Sequence, residues 1–161
     1  MDKQARARQH LAELGETLNV ERLTLEESDT TCVLFFEGDI VLNIEFDDDS
    51  GCLVLSSYLG ELPEQNAEAL LRELLEANLD KHRTAGATLG LEEATGGVIL
   101  CQAQDVDEID RLGFEALIEG FVDQAENWSR FIAAGKGEDQ GADTTAPNAA
   151  PVGSDSPVIF G

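Results

Sequence analysis

Three short apolar runs separated by glycine-marked turns constrain the fold of this chain most strongly. The runs TTCVLFFE and IVLNIEFDD are separated by Gly38 and Asp39, and DDDSG separates the second run from GCLVLSSYL. Turns this short join antiparallel neighbours, since a parallel crossover needs a dozen or more residues. The sequence therefore predicts an antiparallel three-stranded meander.

Helical periodicity flanks these strands. Apolar residues at helical spacing predict a first amphipathic helix that contains Ala7, Leu11, Leu14 and Leu18. Pro63 suits the first position of a helix, so we expect the second helix to begin there and to continue through the leucine-rich residues 70–79. The segments ATLGLEE and VILCQA, joined at residues 95–97, predict a second hairpin.

A long third helix is expected after the second hairpin. Asp105 and Glu108 match the spacing of a capping box at its start, and apolar residues recur from Ile109 to Ile132. The order is then α-β-β-β-α-β-β-α. This is an α+β domain with three helices laid on an antiparallel sheet.

The composition changes at Gly135. Residues 135–161 hold three of the four prolines and no periodic apolar pattern, which is typical of a disordered tail. We therefore expect one folded domain at residues 1–134, with 29 acidic and 9 basic residues. The apolar triplet at residues 158–160 is the exception in the tail, since it could dock on an exposed groove or edge strand.

The charge excludes several classes of protein. The formal net charge of −23 disfavours nucleic acids and anionic membranes, whose binding draws on clustered Lys and Arg. No apolar run exceeds five residues and the first ten residues lack the apolar centre of a secretory signal, so we expect a cytoplasmic protein without a membrane-spanning segment. Cys32, Cys52 and Cys101 lie in apolar stretches and are interpreted as reduced core residues.

No catalytic, cofactor-binding or metal-binding set is predicted. The run of Asp47, Asp48 and Asp49 places Gly51 at the fifth position, where a calcium loop needs an oxygen ligand, so a polar hairpin turn is the better interpretation. The two histidines, His10 and His82, have no partner at ligand spacing and are expected on the surface. The chain is therefore not expected to be an enzyme or to bind a cofactor.

The strands carry more apolar residues than one buried face needs. Residues 32–36, 52–55 and 98–101 are apolar on both faces, whereas a half-buried strand alternates. A second subunit, a bound chain or another part of the same domain must cover the second face, and internal packing alone remains an alternative. Asn78 lies inside the apolar arc of the second helix. A purely structural interpretation is that it bonds a local carbonyl or caps a turn.

Several segments in this order resemble the class I type III secretion chaperones, also called the Tir-chaperone or CesT-like family. These are LGELP at residues 59–63, LLRELLEANL at 70–79, GATLGLEE at 86–93, VILCQAQ at 98–104 and FEALIEGFVDQAENWSRF at 114–131. The resemblance spans residues 3 to about 134. The tail is longer than such chaperones usually need.

The resemblance implies a small bacterial homodimer without enzyme activity. Its partner would be the N-terminal chaperone-binding segment of an effector, held in extended form for secretion and virulence, with the secretion-apparatus ATPase as a further partner. From the residues alone, an acidic adaptor or inhibitor domain that binds a folded partner is the alternative. The gene neighbourhood would discriminate between the two.

Two sets of residues are predicted to carry these contacts. Alternation separates Val33 and Phe35 from Cys32, Leu34 and Phe36 without saying which set packs under the helices. The predicted client groove comprises Leu14, Leu18, Val33, Phe35, Leu53 and Leu55. The apolar arc of the second helix spans about 180 degrees, more than one sheet needs. The predicted dimer interface comprises Leu71, Leu75, Leu79, Val98 and Leu100.

Overall fold

The computed structural model describes residues 2–18 and 31–135. In chain order the elements are α1 (Lys3–Thr17), β1 (Thr31–Phe36), β2 (Ile40–Asp47), β3 (Cys52–Glu61), α2 (Ala67–Leu79), α3 (Lys81–Thr84), β4 (Thr88–Leu91), β5 (Gly97–Asp105) and α4 (Arg111–Gly135). The predicted α+β order is confirmed, with the short helix α3 added. The predicted tail lies outside the described residues.

The five strands form one antiparallel sheet in the order β1-β2-β3-β5-β4. The turn between β2 and β3 is the polar hairpin turn expected from the aspartate run, because the Asp47 carboxylate accepts hydrogen bonds from Ser50 Oγ at 2.6 Å and from the Asp49 amide at 3.2 Å. These bonds, the Ser50 hydroxyl first, lower the pKa of Asp47. Gly51 closes the turn at a φ of +71°, a conformation that glycine adopts without strain.

The sheet has a covered inner face and an open outer face. Because paired residues in adjacent strands share a face, the register assigns each side chain to one of them. The buried apolar side chains of the inner face include Cys32, Leu34, Ile40, Leu42, Ile44, Phe46, Leu53, Leu55, Leu89, Val98 and Leu100. These side chains form the core together with α1, α2 and α4.

Helix α4 packs against β3 and β2, and α1 packs against α4. Phe114 and Phe121 are among the largest fully buried side chains of the described residues. Further along α4, Trp128 donates from Nε1 to the Arg83 carbonyl at 3.3 Å, which ties α3 to α4. The Phe131 ring meets Trp128 edge-on at 5.4 Å.

Two predicted helix starts are wrong by several residues. Helix α2 begins at Ala67 rather than Pro63, after Asn66 with a φ of +64°. Helix α4 begins at Arg111, where Asp110 Oδ1 accepts the Gly113 amide at 2.8 Å. Asp105 instead ends β5, so the capping-box interpretation chose the wrong aspartate.

Helix α1 is attached to the end of β5 by polar contacts. Lys3 Nζ pairs with Asp105 at 2.9 Å, and Arg6 pairs with Asp107 at 3.2 Å. The hydrogen bond from the Asp107 amide, followed by the bond from Lys3, lowers the pKa of Asp105. The Lys3 and Arg6 side chains therefore hold α1 in place rather than forming a free basic patch.

Two predictions about single side chains need correction. His10 is buried rather than exposed, because its Nε2 lies 3.2 Å from the Val106 carbonyl and its ring is 5.5 Å from Phe114. His82 is exposed as expected. Cys32 is buried, but Cys52 and Cys101 are only half-buried, because the register places both on the outer face.

Candidate binding surface

The outer face of the sheet carries exposed and half-buried apolar side chains. We name this set the outer apolar surface, and it comprises Val33, Phe35, Val41, Val54, Tyr58 and Ile99. Phe35 is 80% exposed, Tyr58 47% and Val33 44%. No described helix covers these side chains as α4 covers the inner face. A surface of this kind on a folded domain marks an interaction site.

The sheet register brings these residues together across four strands. Phe35 of β1 pairs with Val41 of β2, and Tyr58 of β3 pairs with Ile99 of β5. Val41 and Tyr58 lie two residues beyond the paired Asn43 and Ser56 on their strands. An apolar row therefore crosses the sheet near the turn between β1 and β2.

The structure divides the predicted client residues between two environments. Val33 and Phe35 lie on the outer apolar surface, and Leu18 is exposed at the end of α1. Leu14, Leu53 and Leu55 are buried in the core, so the prediction that these three line an open groove is wrong. For Leu53 and Leu55 the reason for this burial is the register, since Leu53 pairs with the inner-face residue Phe46 and Leu55 with Ile44.

Four members of the outer apolar surface were not among the predicted site residues: Val41, Val54, Tyr58 and Ile99. Val54 follows directly from alternation once Leu53 and Leu55 are assigned to the core. The Tyr58 ring packs on the backbone of Gly97, in the space that a Cβ at residue 97 would need. A larger side chain at residue 97 would therefore displace the Tyr58 ring.

Carboxylates surround the outer apolar surface. Glu37 and Asp39 lie at the turn beside Phe35, and Glu45 pairs with Val54. Near the opposite edge, Glu61 and Glu92 act on Tyr58. Burial first, and then these two negative charges, raise the pKa of the Tyr58 phenol. The rim of this surface is thus consistently negative.

The predicted dimer residues also divide into two groups. Leu75 and Leu79 project from α2 and are 66% and 88% exposed, and Leu71 is half-buried. Val98 and Leu100 are fully buried on the inner face, so their assignment to a surface contact is wrong. Of the five predicted dimer residues, the three leucines of α2 are therefore the ones available to meet another chain.

Asn78 joins α2 to strand β4. Its Nδ2 donates to the Leu89 carbonyl at 2.9 Å, and its Oδ1 accepts the Leu89 amide at 2.8 Å. At Leu89 the Asn78 side chain therefore makes the two hydrogen bonds that a neighbouring strand would otherwise make with β4. Neither alternative from the sequence describes it, since the partner is 11 residues away rather than in the same helix turn.

We expect Asn78→Ala to lower the free energy of unfolding by about 1–3 kcal/mol, because both bonds to Leu89 are lost. Asn78→Asp should lose stability at neutral pH, where a carboxylate cannot donate to the Leu89 carbonyl, and regain part of it when acid protonates the new side chain. Urea unfolding at two pH values measures both effects. Asn127→Ala is the control, since Asn127 is exposed on α4, and an equal loss there would contradict this role for Asn78.

The described residues show no arrangement for metal chemistry and no membrane span. In residues 2–18 and 31–135, no three His, Cys, Asp or Glu side chains converge as metal ligands. No helix in this part of the chain combines the length and apolar character needed to cross a bilayer.

Comparison with known proteins supports the resemblance drawn from the residues. The family model described as the Tir chaperone protein (CesT) family matches residues 9–129. This range contains all of β1 to β5 and most of the helices. No curated protein sequence matches the chain.

Solved structures share the fold. A chain of the ExsC–ExsE complex is 23% identical with a TM-score of 0.69, and the match covers 82% of this chain and 97% of that one. A chain of the HopA1–SchA chaperone–effector complex is 19% identical with a TM-score of 0.65, covering 79% and 95%. A chain of the ExoU–SpcU complex from the type III secretion system of Pseudomonas aeruginosa is 19% identical with a TM-score of 0.59, covering 80% and 95%. At these identities the likeness shows the fold.

Proposed function

Because the chain belongs to the Tir chaperone (CesT) family, we propose that it is a type III secretion chaperone. It binds the N-terminal chaperone-binding segment of an effector in extended form and keeps that segment soluble and competent for secretion. It acts in the bacterial cytoplasm, without enzyme activity and without a cofactor. Two proteins of similar fold belong to a chaperone–effector complex and to a complex from a type III secretion system.

The observation that carries this proposal is the outer apolar surface. A sheet of five strands is closed on its inner face by the core, yet Phe35 and Val33 stay exposed on the other face. Burial of apolar side chains contributes about 25 cal/mol per Å² of area removed from water. A bound segment can gain this free energy without any change in the core of the chaperone.

The shape of the site supports the proposal that the client is extended. The outer apolar surface is a sheet face in which side chains from alternate positions stand side by side. An extended segment also presents every second side chain to one side, so its apolar residues can contact Val33, Phe35 and Val41 while the others face water. A folded globular partner would present its apolar side chains less readily, since they are in its own core.

We also propose that two copies assemble through α2. Leu75 and Leu79 lie one helix turn apart and are exposed, so a two-fold axis beside them would bury both on each copy. This contact uses neither Val33 nor Phe35. Each copy therefore keeps its outer apolar surface for a client.

We expect Val33→Asp or Phe35→Asp to weaken client binding by about 2 kcal/mol or more, which is the loss typical of a buried anchor residue. Both side chains are exposed in the free chain, so the fold should survive, and circular dichroism checks this. The measurement is co-purification of the N-terminal segment of the effector encoded beside the chaperone gene.

Ala116→Asp is the matched control, since it adds the same charge at an exposed position of α4. It should retain the client fully. Retention of the client by folded Val33→Asp and Phe35→Asp proteins would place the client site elsewhere. Binding that requires a folded partner domain rather than the N-terminal segment would favour the adaptor function instead.

A further inference from the structure

We propose that the outer apolar surface selects a segment whose apolar side chains are flanked by lysine or arginine. This inference rests on the proposed function and names the chemistry of the client. The inference follows from the distribution of charge between the helices and the sheet of the domain.

The basic residues in the described part of the chain lie on helices. Eight Lys and Arg side chains fall within the described residues, and all eight are in helices: Lys3, Arg6, Arg8, Arg72, Lys81, Arg83, Arg111 and Arg130. Six of them pair with carboxylates of the helices, of the last residue of β5 or of the segment between β5 and α4. Residues 31–61, which build β1 to β3, contain seven Asp and Glu and no Lys, Arg or His.

The carboxylates around the outer apolar surface therefore have no cationic partner among the described residues. Glu37, Asp39, Glu45, Glu61 and Glu92 form no ion pair in that part of the chain. They lie on both sides of the apolar row, two of them beside Phe35 and two near Tyr58. Burial first, and then Glu61 and Glu92, raise the pKa of Tyr58, so these two carboxylates act on the apolar row at that end.

A client with flanking bases fits this arrangement physically. Its apolar centre displaces water from Phe35 and Val41, and its cations relieve the mutual repulsion of the rim carboxylates. Long Lys and Arg side chains can also lay their methylene groups on apolar surface while the charge stays in water. A client with flanking acids would meet like charges at both ends of the row.

The same charges disfavour two other occupants. Residues 136–161 of this chain carry four acidic residues and one lysine, so the rim would repel most of that segment. A second copy that used its own outer apolar surface would bring two carboxylate rims together. Charge complementarity therefore favours a basic segment of another protein.

Synthetic peptides test this with the full chain. Both peptides carry Val-Ser-Phe-Ser-Val, flanked by two lysines on each side in one and by two glutamates in the other, and binding is followed by fluorescence anisotropy at several salt concentrations. We expect the lysine peptide to bind more tightly and to lose affinity as salt rises. The paired change Glu37→Gln and Asp39→Asn should weaken it by about four- to twentyfold, at two- to fivefold for each exposed charge.

The control pair is Glu119→Gln and Asp123→Asn, which removes the same charges from exposed positions of α4. Equal affinity for both peptides, or equal losses in the rim and control pairs, would overturn the inference. Tighter peptide binding after Ile159→Asp would show that the tail occupies the surface, and a changed oligomer after Phe35→Asp would show a second copy there. Either result overturns it too. The proposed function fails separately, if the N-terminal segment of the effector does not co-purify with the wild-type protein.

Discussion

Replacing Trp128 with alanine is expected to lower the free energy of unfolding by about 3–5 kcal/mol, among the largest effects of any single substitution in this domain. The indole is buried in α4, donates to the Arg83 carbonyl and packs edge-on against Phe131. The Arg83 guanidinium lies 5.8 Å from its centroid, so the loss also removes a cation–π contact. Urea unfolding at a fixed protomer concentration measures the change.

Trp128→Phe separates the hydrogen bond from the volume of the ring. It keeps an aromatic ring against Phe131 and loses the donor to Arg83, so we expect a loss of about 1–2 kcal/mol. A Trp128→Ala protein as stable as the wild type would show that α3 and the end of α4 do not depend on this contact. A Phe variant as unstable as the Ala variant would assign the whole effect to the hydrogen bond.

The second large effect is expected at the α2 surface. Leu79→Asp or Leu75→Asp should raise the dissociation constant of the proposed dimer by about a hundredfold or more, because a two-fold interface would lose each contact twice and gain a charge on each copy. Neither side chain belongs to the core, so the monomer should remain folded. Sedimentation velocity at micromolar concentration measures the assembly state.

Leu112→Asp is the control for this experiment, since Leu112 is an equally exposed leucine on α4 rather than α2. It should leave the assembly unchanged. A wild-type protein that sediments as a monomer, or a Leu75→Asp protein that sediments as the wild-type dimer, would contradict the proposed contact through α2.

The strands could be predicted from the sequence because their determinants are local. Glycine-marked turns fix which runs are neighbours, and alternation separates Val33 and Phe35 from Cys32 and Leu34. The assignment of Leu53 and Leu55 failed because it depends on the register between β2 and β3. A shift of one residue in that register exchanges the two faces, and no single strand contains this information.

Contacts between residues that are distant in the sequence could not be predicted from local patterns, for the same reason. His10 lies in a charged stretch of the sequence, but it is buried by the Val106 carbonyl and the Phe114 ring, which are distant from it in the sequence. Asp105 matches the spacing of a capping box, but Asp110 is the residue that caps α4. The actual role of Asp105 is to bind Lys3 of α1 at the end of β5, and this contact is not visible in the local sequence. The outer apolar surface could be foreseen as an excess of apolar residues but not outlined residue by residue.

The bond pair between Asn78 and Leu89 has a consequence for the behaviour of the protein at high concentration. Strand β4 is an edge of the sheet, and an edge with free amide and carbonyl groups is a template on which other chains stack into aggregates. At Leu89 both groups are already occupied by one side chain of the same molecule. At this residue β4 therefore offers no free backbone groups to an added strand, which we expect to reduce self-association through this edge at high concentration.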